Sequence, residues 1–419
     1  MVINELSISE LLAGYANGAF TPKDVLEEYL QIVSAKDKVI NAFVSLDLRG
    51  ARQEAIKGCS GPLAGIPFAV KDVLDTACLP TEMGAKIYAG NHARFDAGSV
   101  ALAKQAGGIL IGKTATAEFA GTHPPLTTNP HNPTHTPGGS SSGSAAAVAA
   151  NMCTFALGTQ TGGSILRPAA FCGVIGFKPT YGAYPISGML SAAHSFDTVG
   201  IFTKSACDAR EVHNAIMRQN NKKQPDIDSA TIGVWKPGVS AKLSPEVDAA
   251  IDKVKDIFEH FGHSVFSLDL SKEFEFLSQY RRTINDFERY GNLAGEMSQL
   301  KFFSNLSKKV HNRGAIIDGE NYFTALRALD TFRKNVESIF GGCDFILTAV
   351  TPGEAPPGLD NTGDPMMQEL WTTLQLPTIS VPCGVGPHGL PIAVQLVGQK
   401  FFDRELLELA DRIQASTLF

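Results

Sequence analysis

At 419 residues the chain has room for one large core or for two or three ordinary domains. Its 44% hydrophobic and 19% charged residues exclude a disordered chain, and a net charge of −6 argues against nonspecific nucleic-acid binding, which needs a basic face to displace counterions. The seven cysteines are scattered without CxxC spacing and read as small buried residues in a reducing compartment, while MVINELSISELL lacks a signal peptide's basic start and apolar run. No apolar run approaches the length of a membrane span, so a cytoplasmic protein without membrane or nucleic-acid partners is expected.

From the N-terminus, residues 7–35 predict two helices. Ser7 or Ser9 can cap the first, and Thr21 followed by Pro22 gives the second an N-cap with proline at its first position. Val25, Leu26, Tyr29, Leu30 and Val33 fall on one face, so this helix packs on a core. After a loop, Gly61 to Pro67 introduce Phe68-Ala69-Val70-Lys71-Asp72-Val73, an apolar run that reads as a buried strand ending in charge. Lysine is almost never fully buried unless paired. Lys71 therefore either snorkels to water, which composition alone favours, or carries a deliberately desolvated amine.

Residues 99–106 predict a helix and Ile109-Leu110-Ile111 a short strand. The run Gly107 to Thr114 satisfies the phosphate-loop pattern G-x-x-x-x-G-K-[ST], which would make the chain a nucleotide-binding protein. Its Ile-Leu-Ile centre, however, favours burial over offering N–H groups to phosphates. A proline-rich loop follows at 122–138, and then PGGSSSGSAAAVAA, where a glycine-serine cluster sits at the start of a strong helix former, Ser144 to Ala150. Thr154 to Gly158 predicts a buried strand, closed by a second cluster, Thr161-Gly162-Gly163-Ser164. Short strands and turns occupy 173–205.

Between about 206 and 340 the patterns become helical and richer in charge, with Ile232 to Trp235 as one further strand. Strand patterns return at 344–350, 377–384 and 391–398, and DRELLELADRIQ predicts a final helix. Strands at both ends with helices between them suggest one α/β fold with a mixed sheet. The expected division is N-terminal helices (1–60), a catalytic core (61–205), a helical substrate-side section (206–340) and C-terminal strands with a helix (341–419), all within a single domain.

Gly139 to Gly143 matches the nucleophile-elbow pattern G-x-S-x-G around Ser141, but an elbow turns out of a strand and the preceding PTHTPG is no strand. His131 and His135 are separated by Pro133 in a loop, and neither HExxH nor a cysteine-rich ligand set occurs, so no metal is expected. The turn Thr161-Gly162-Gly163-Ser164 can aim successive N–H groups at one point, as an oxyanion hole requires, or can simply be a tight turn.

Lys71-Asp72 after an apolar strand, GGSSSGSAAAVAA, and TGGSILRPAAFCGVIGFKPT together resemble the amidase signature family of amide hydrolases. The resemblance also covers SISELLAG, GPLAGIPFAVKD, LPTISVPCG and GLPIAVQLVGQ, nearly the whole chain. It implies a large domain with a central mixed sheet covered by helices on both faces, and no cofactor. It further implies Ser164 as nucleophile, Ser140 on a cis peptide as bridging serine, Lys71 as base, and residues Thr161, Gly162, Gly163 and Ser164 as oxyanion hole. Lys71 would then be the desolvated amine of the two readings, since only a neutral amine accepts a proton.

Most family members carry Asp where Gln160 stands and Arg where Leu166 stands; here the arginine comes one residue later, at Arg167. That variant resembles malonamidase-like members, in which the shifted arginine binds a substrate carboxylate. A small, acid-bearing amide is therefore the expected substrate, with Arg167, Gln160 and Met83 among its contacts and the 270–340 region and the 122–136 loop shaping specificity. The alternative within the family is the ammonia-producing A subunit of a glutamyl-tRNA amidotransferase; a homodimer is the assembly the resemblance suggests.

Overall fold

The structure, a computed structural model, describes residues 3–219, 222–223, 225, 227–238 and 242–417. Its strands are β1 (Phe43–Leu46), β2 (Pro67–Lys71), β3 (Ile109–Thr114), β4 (Phe155–Gln160), β5 (Ile175–Lys178), β6 (Thr198–Thr203), β7 (Thr231–Trp235), β8 (Ser264–Leu268), β9 (Phe345–Ala349), β10 (Thr378–Val385) and β11 (Pro391–Gly398). They form one sheet in the order β1-β3-β2-β4-β6-β5-β10-β11-β9-β7-β8. The sheet is mixed: β2 runs parallel to β3 and β4, whereas β10 is antiparallel to β5 and β11.

Successive side chains point to opposite faces of a strand, and the core divides accordingly. Phe68, Val70, Phe155 and Leu157 join one large apolar cluster, packed with helices Ala206–Ile216 and Asp403–Thr417. Ala69 and Ala156 face the other way, against helices Ser142–Ala149 and Leu166–Cys172. Alanine on both surfaces lets helix Ser142–Ala149 lie close to the sheet. Helices thus cover both faces, as expected for this single-domain fold.

The predicted caps form. Ser7 and Glu10 make a reciprocal capping box, as do Thr21 and Asp24 ahead of the helix that Pro22 opens. The two strands not foreseen, β1 and β8, are the two edges of the sheet. Both are short and half-exposed, so neither carries the apolar run that marks an interior strand.

Residues Ile109–Thr114 are a wholly buried strand and no phosphate loop. Lys113 has no solvent exposure, lies 3.1 Å from the Asp72 carboxylate and donates to Thr81 Oγ1 at 2.6 Å. Its amine is consumed within the core, which overturns nucleotide binding through Gly107 to Thr114.

Candidate active site

Lys71 is the last residue of β2 and is fully buried, so it does not snorkel. Its Nζ lies 2.8 Å from Ser140 Oγ and 2.8 Å from Thr159 Oγ1. Desolvation holds the amine well below the ordinary lysine range; Asp197 works against that shift from a distance, and the Arg289 and Arg167 guanidiniums reinforce it. The adjacent Asp72 anchors the strand end, its N–H donating to Thr114 O at 3.0 Å and its carboxylate paired with Lys113. Desolvation raises the Asp72 carboxyl to about 6 against the pull of Lys113.

The Gly139–Ser140 peptide is cis, as the resemblance implied. Three contacts fix it: Ser140 O accepts from Ala117 N at 3.1 Å, Gly139 O from Arg167 Nη2 at 2.6 Å, and Gly138 O from Ser142 Oγ at 2.6 Å. The glycines here are required by crowding. A Cβ on Gly139 would lie 2.7 Å from Thr362 Cγ2, and one on Gly143 only 2.2 Å from Ala42 O and 2.4 Å from Ala115 N. Ser141, at the centre of the elbow pattern, is buried and engaged with the backbone of Thr159, donating to its carbonyl at 3.2 Å.

Beyond β4 the chain turns through Thr161-Gly162-Gly163-Ser164 into helix Leu166–Cys172. Three carbonyls of the turn have donors: Arg281 Nη2 to Thr161 O at 3.0 Å, Thr372 Oγ1 to Gly162 O at 2.7 Å, and Arg167 N to Gly163 O at 3.0 Å. C=O and N–H point opposite ways across a planar trans peptide. Fixing these three carbonyls therefore fixes the N–H groups of Gly162, Gly163 and Ser164 on the other side. Thr161 Oγ1 donates to Asp197 at 2.5 Å, while the second oxygen of Asp197 accepts from Ser191 Oγ and from the N–H groups of Ala192 and Ala193. Burial raises the Asp197 carboxyl to about 6.

Ser164 opens onto a cleft of about 200 Å³ that Arg167, Arg281, Arg282 and Glu369 also line. Arg167 is buried; its Nε donates to Thr362 O at 2.6 Å and its Nη2 to Gly139 O, leaving Nη1 without a partner. Gln160 and Met83 are not among the cleft-lining residues. Gln160 Oε1 accepts from Ile165 N at 2.8 Å and Leu166 N at 3.1 Å, and its amide donates to Thr372 Oγ1 at 2.9 Å, so it fastens the turn to the following helix. Met83 packs with Phe119, Leu293 and Phe303 in a separate apolar cluster. Gln160 thus serves the turn and Met83 this apolar cluster, where substrate contact was expected of both. Conversely, Asp197 and the arginines of helix Ser271–Asn292 went unforeseen individually, because no local motif in SFDTVG or QYRRTINDFERY marks which side chains face the Thr161–Ser164 turn.

The amidase family model matches residues 24–407. The A subunit of a glutamyl-tRNA(Gln) amidotransferase from Desulforapulum autotrophicum is 32% identical over 477 aligned positions, covering 97% of this chain and 96% of its own. Among solved structures, an amidase superposes with a TM-score of 0.90 at 26% identity over 98% of this chain and 100% of its own. Another, from a vestigial complex bearing on the evolutionary origins of an s-triazine catabolic enzyme, gives 0.88 at 27% identity over 98% of both chains. The match spans every strand that carries the Lys71, Ser140 and Ser164 segments, and on that extent the chain belongs to the amidase signature family of amide-hydrolysing enzymes.

Proposed function

We propose that the chain hydrolyses a small carboxylate-bearing amide through an acyl-enzyme on Ser164. Neutral Lys71 takes the Ser140 hydroxyl proton as Ser140 takes that of Ser164. The Ser164 oxygen bonds to the amide carbon, and the resulting oxyanion is held by the N–H groups of the Thr161–Ser164 turn. Collapse breaks the C–N bond as the relay returns its proton to the leaving nitrogen. Water then attacks the acyl carbon, gives its proton to the relay and frees Ser164. The observation that carries this reading is the 2.8 Å approach of the Lys71 amine to Ser140, both residues having no solvent exposure. Arg167 supports the acidic substrate, since its Nη1 is buried and unpartnered beside Ser164 in the cleft.

The curated relatives favour a second reading, in which the chain supplies ammonia as the A subunit of a glutamyl-tRNA amidotransferase, with protein partners and a tRNA. Two features support the free-standing enzyme instead. The displaced Arg167 is one. The other is length: 477 aligned positions against 419 residues mean the relative carries several dozen residues this chain lacks. The test is ammonia release from succinamate and glutamine by the purified chain alone. Turnover lost in Ser164→Ala supports the first reading; glutamine turnover only with added partner proteins replaces it with the second. Sedimentation of the same sample tests the homodimer that accompanies the first.

A further inference from the structure

The cleft at Ser164 carries far more positive charge than its own carboxylates balance. Five guanidiniums line it, those of Arg167, Arg281, Arg282, Arg289 and Arg313, against the carboxylates of Asp286 and Glu369. Both carboxylates are taken: Glu369 pairs with Arg281 at 2.9 Å and Asp286 with Arg313 at 2.7 Å. The other three guanidiniums have no carboxylate within ion-pair distance among the described residues. Arg167 is held by backbone carbonyls, and Arg289, also buried, donates to Phe119 O at 2.6 Å. Arg282 is exposed on the same helix, seven residues before Arg289 and so on nearly the same face.

Other acids around the cleft do not supply the missing charge by contact: Asp364, whose Oδ1 accepts from Met366 N, acts on Arg167 only from a distance. Glu118 accepts from Ser304 N and Ser307, and Asp197 from Thr161, Ser191 and two N–H groups. Both act on Arg289 only from a distance. Two buried guanidiniums facing one cleft without counter-ions carry a desolvation cost that an anionic ligand offsets. They stand on different elements, Arg167 on helix Leu166–Cys172 and Arg289 with Arg282 on helix Ser271–Asn292, and with Arg282 they place three uncompensated positive charges at one cleft, more than a single carboxylate neutralises.

We infer that the substrate is an amide bearing two acidic groups, one met by Arg167 and the other by Arg282 and Arg289. The inference rests on the amide-hydrolase reading for its reaction but not for its binding test. Ser164→Ala protein is titrated calorimetrically with the monoamide of tricarballylic acid (dianionic), succinamate (monoanionic) and butyramide (neutral). The dianion is expected to bind at least tenfold more tightly than the monoanion, the advantage shrinking as salt rises and falling at least fivefold in Arg282→Gln, an exposed position where misfolding is not at issue. Equal affinity for dianion and monoanion, or an advantage untouched by Arg282→Gln, overturns the inference. Turnover of the same amides by the wild type bears only on the hydrolase reading, so the two can fail separately.

Discussion

Lys71 Nζ and the Ser140 hydroxyl lie 2.8 Å apart at a point no solvent reaches. The amine is held below its usual range, and the protonated form cannot accept the Ser140 proton. Lys71→Ala is expected to lower kcat by about 10²–10⁴-fold, the range for loss of a general base. In the wild type, kcat/KM should fall on the acid side as Lys71 protonates. A Lys71→Ala enzyme of unimpaired kcat removes the relay.

Ser164→Ala should abolish acyl-enzyme formation, and Ser140→Ala should slow it by a similar factor of about 10²–10⁴, the worth of a proton-transfer step. Intact-mass spectrometry during turnover of a slow amide reads this directly. Acylation of Ser140 in place of Ser164 would reverse the assignment of the two serines.

Asp197 is a positioning residue: it holds Thr161 and its charge favours the protonated form of Lys71. Removing that charge in Asp197→Asn lowers the Lys71 pKa further, so the base stays neutral to lower pH. The acid limb of the pH–rate profile should therefore move to lower pH, whatever happens to kcat. Looser packing alone would reduce kcat and leave the limb in place, and that result counts against the electrostatic role.

Arg167 ties Gly139 O and Thr362 O together through two donors and leaves its Nη1 buried and unpartnered. Arg167→Ala should lower kcat on every amide through the Ser140 segment, and raise KM more for carboxylate-bearing amides than for neutral ones. Equal KM changes for both classes would leave Arg167 with the backbone role alone.

Lys178 provides a test of stability. It is fully buried, its Nζ donates to Leu376 O at 2.6 Å, and desolvation lowers its pKa from 10.5 to about 7. Between those values the unfolded chain binds the extra proton, so this group makes stability rise with pH, by about 1.4 kcal/mol for each pH unit crossed between the two values. Lys178→Met should flatten that rise: its melting temperature gains on the wild type at pH 7 and loses the advantage toward pH 10. Parallel melting curves across this range would show that Lys178 does not titrate as its burial requires.

Much of the architecture was legible because interior strands announce themselves. Phe68-Ala69-Val70 and Phe155-Ala156-Leu157 are apolar on both faces, as a strand between two helical layers must be. The edge strands, half in water, carry no such signature. Glycine and serine density likewise pointed to the site, because close backbone approach leaves a compositional trace. Long-range side-chain partners leave none. The sequence around Lys113 fits a phosphate loop; its contact with Asp72, across some forty residues of chain, is what shows where its charge goes. Gln160 adjoins the turn in sequence and so reads as a substrate contact; only the direction of its amide, toward Ile165 N and Leu166 N, shows that it closes the turn from behind.

Gly143 illustrates how little of this enzyme is modular. The carbonyl that a side chain there would strike belongs to Ala42, just ahead of the edge strand β1, and that carbonyl also receives the N–H of Ala115 at 2.8 Å. The N-terminal arm is therefore a wedge driven against the helix that follows Ser140. An N-terminal truncation past residue 42 removes that carbonyl, and with it the backbone contact that packs against the helix following Ser140. The arm belongs to the active-site scaffold, far though it lies from any reacting atom in sequence.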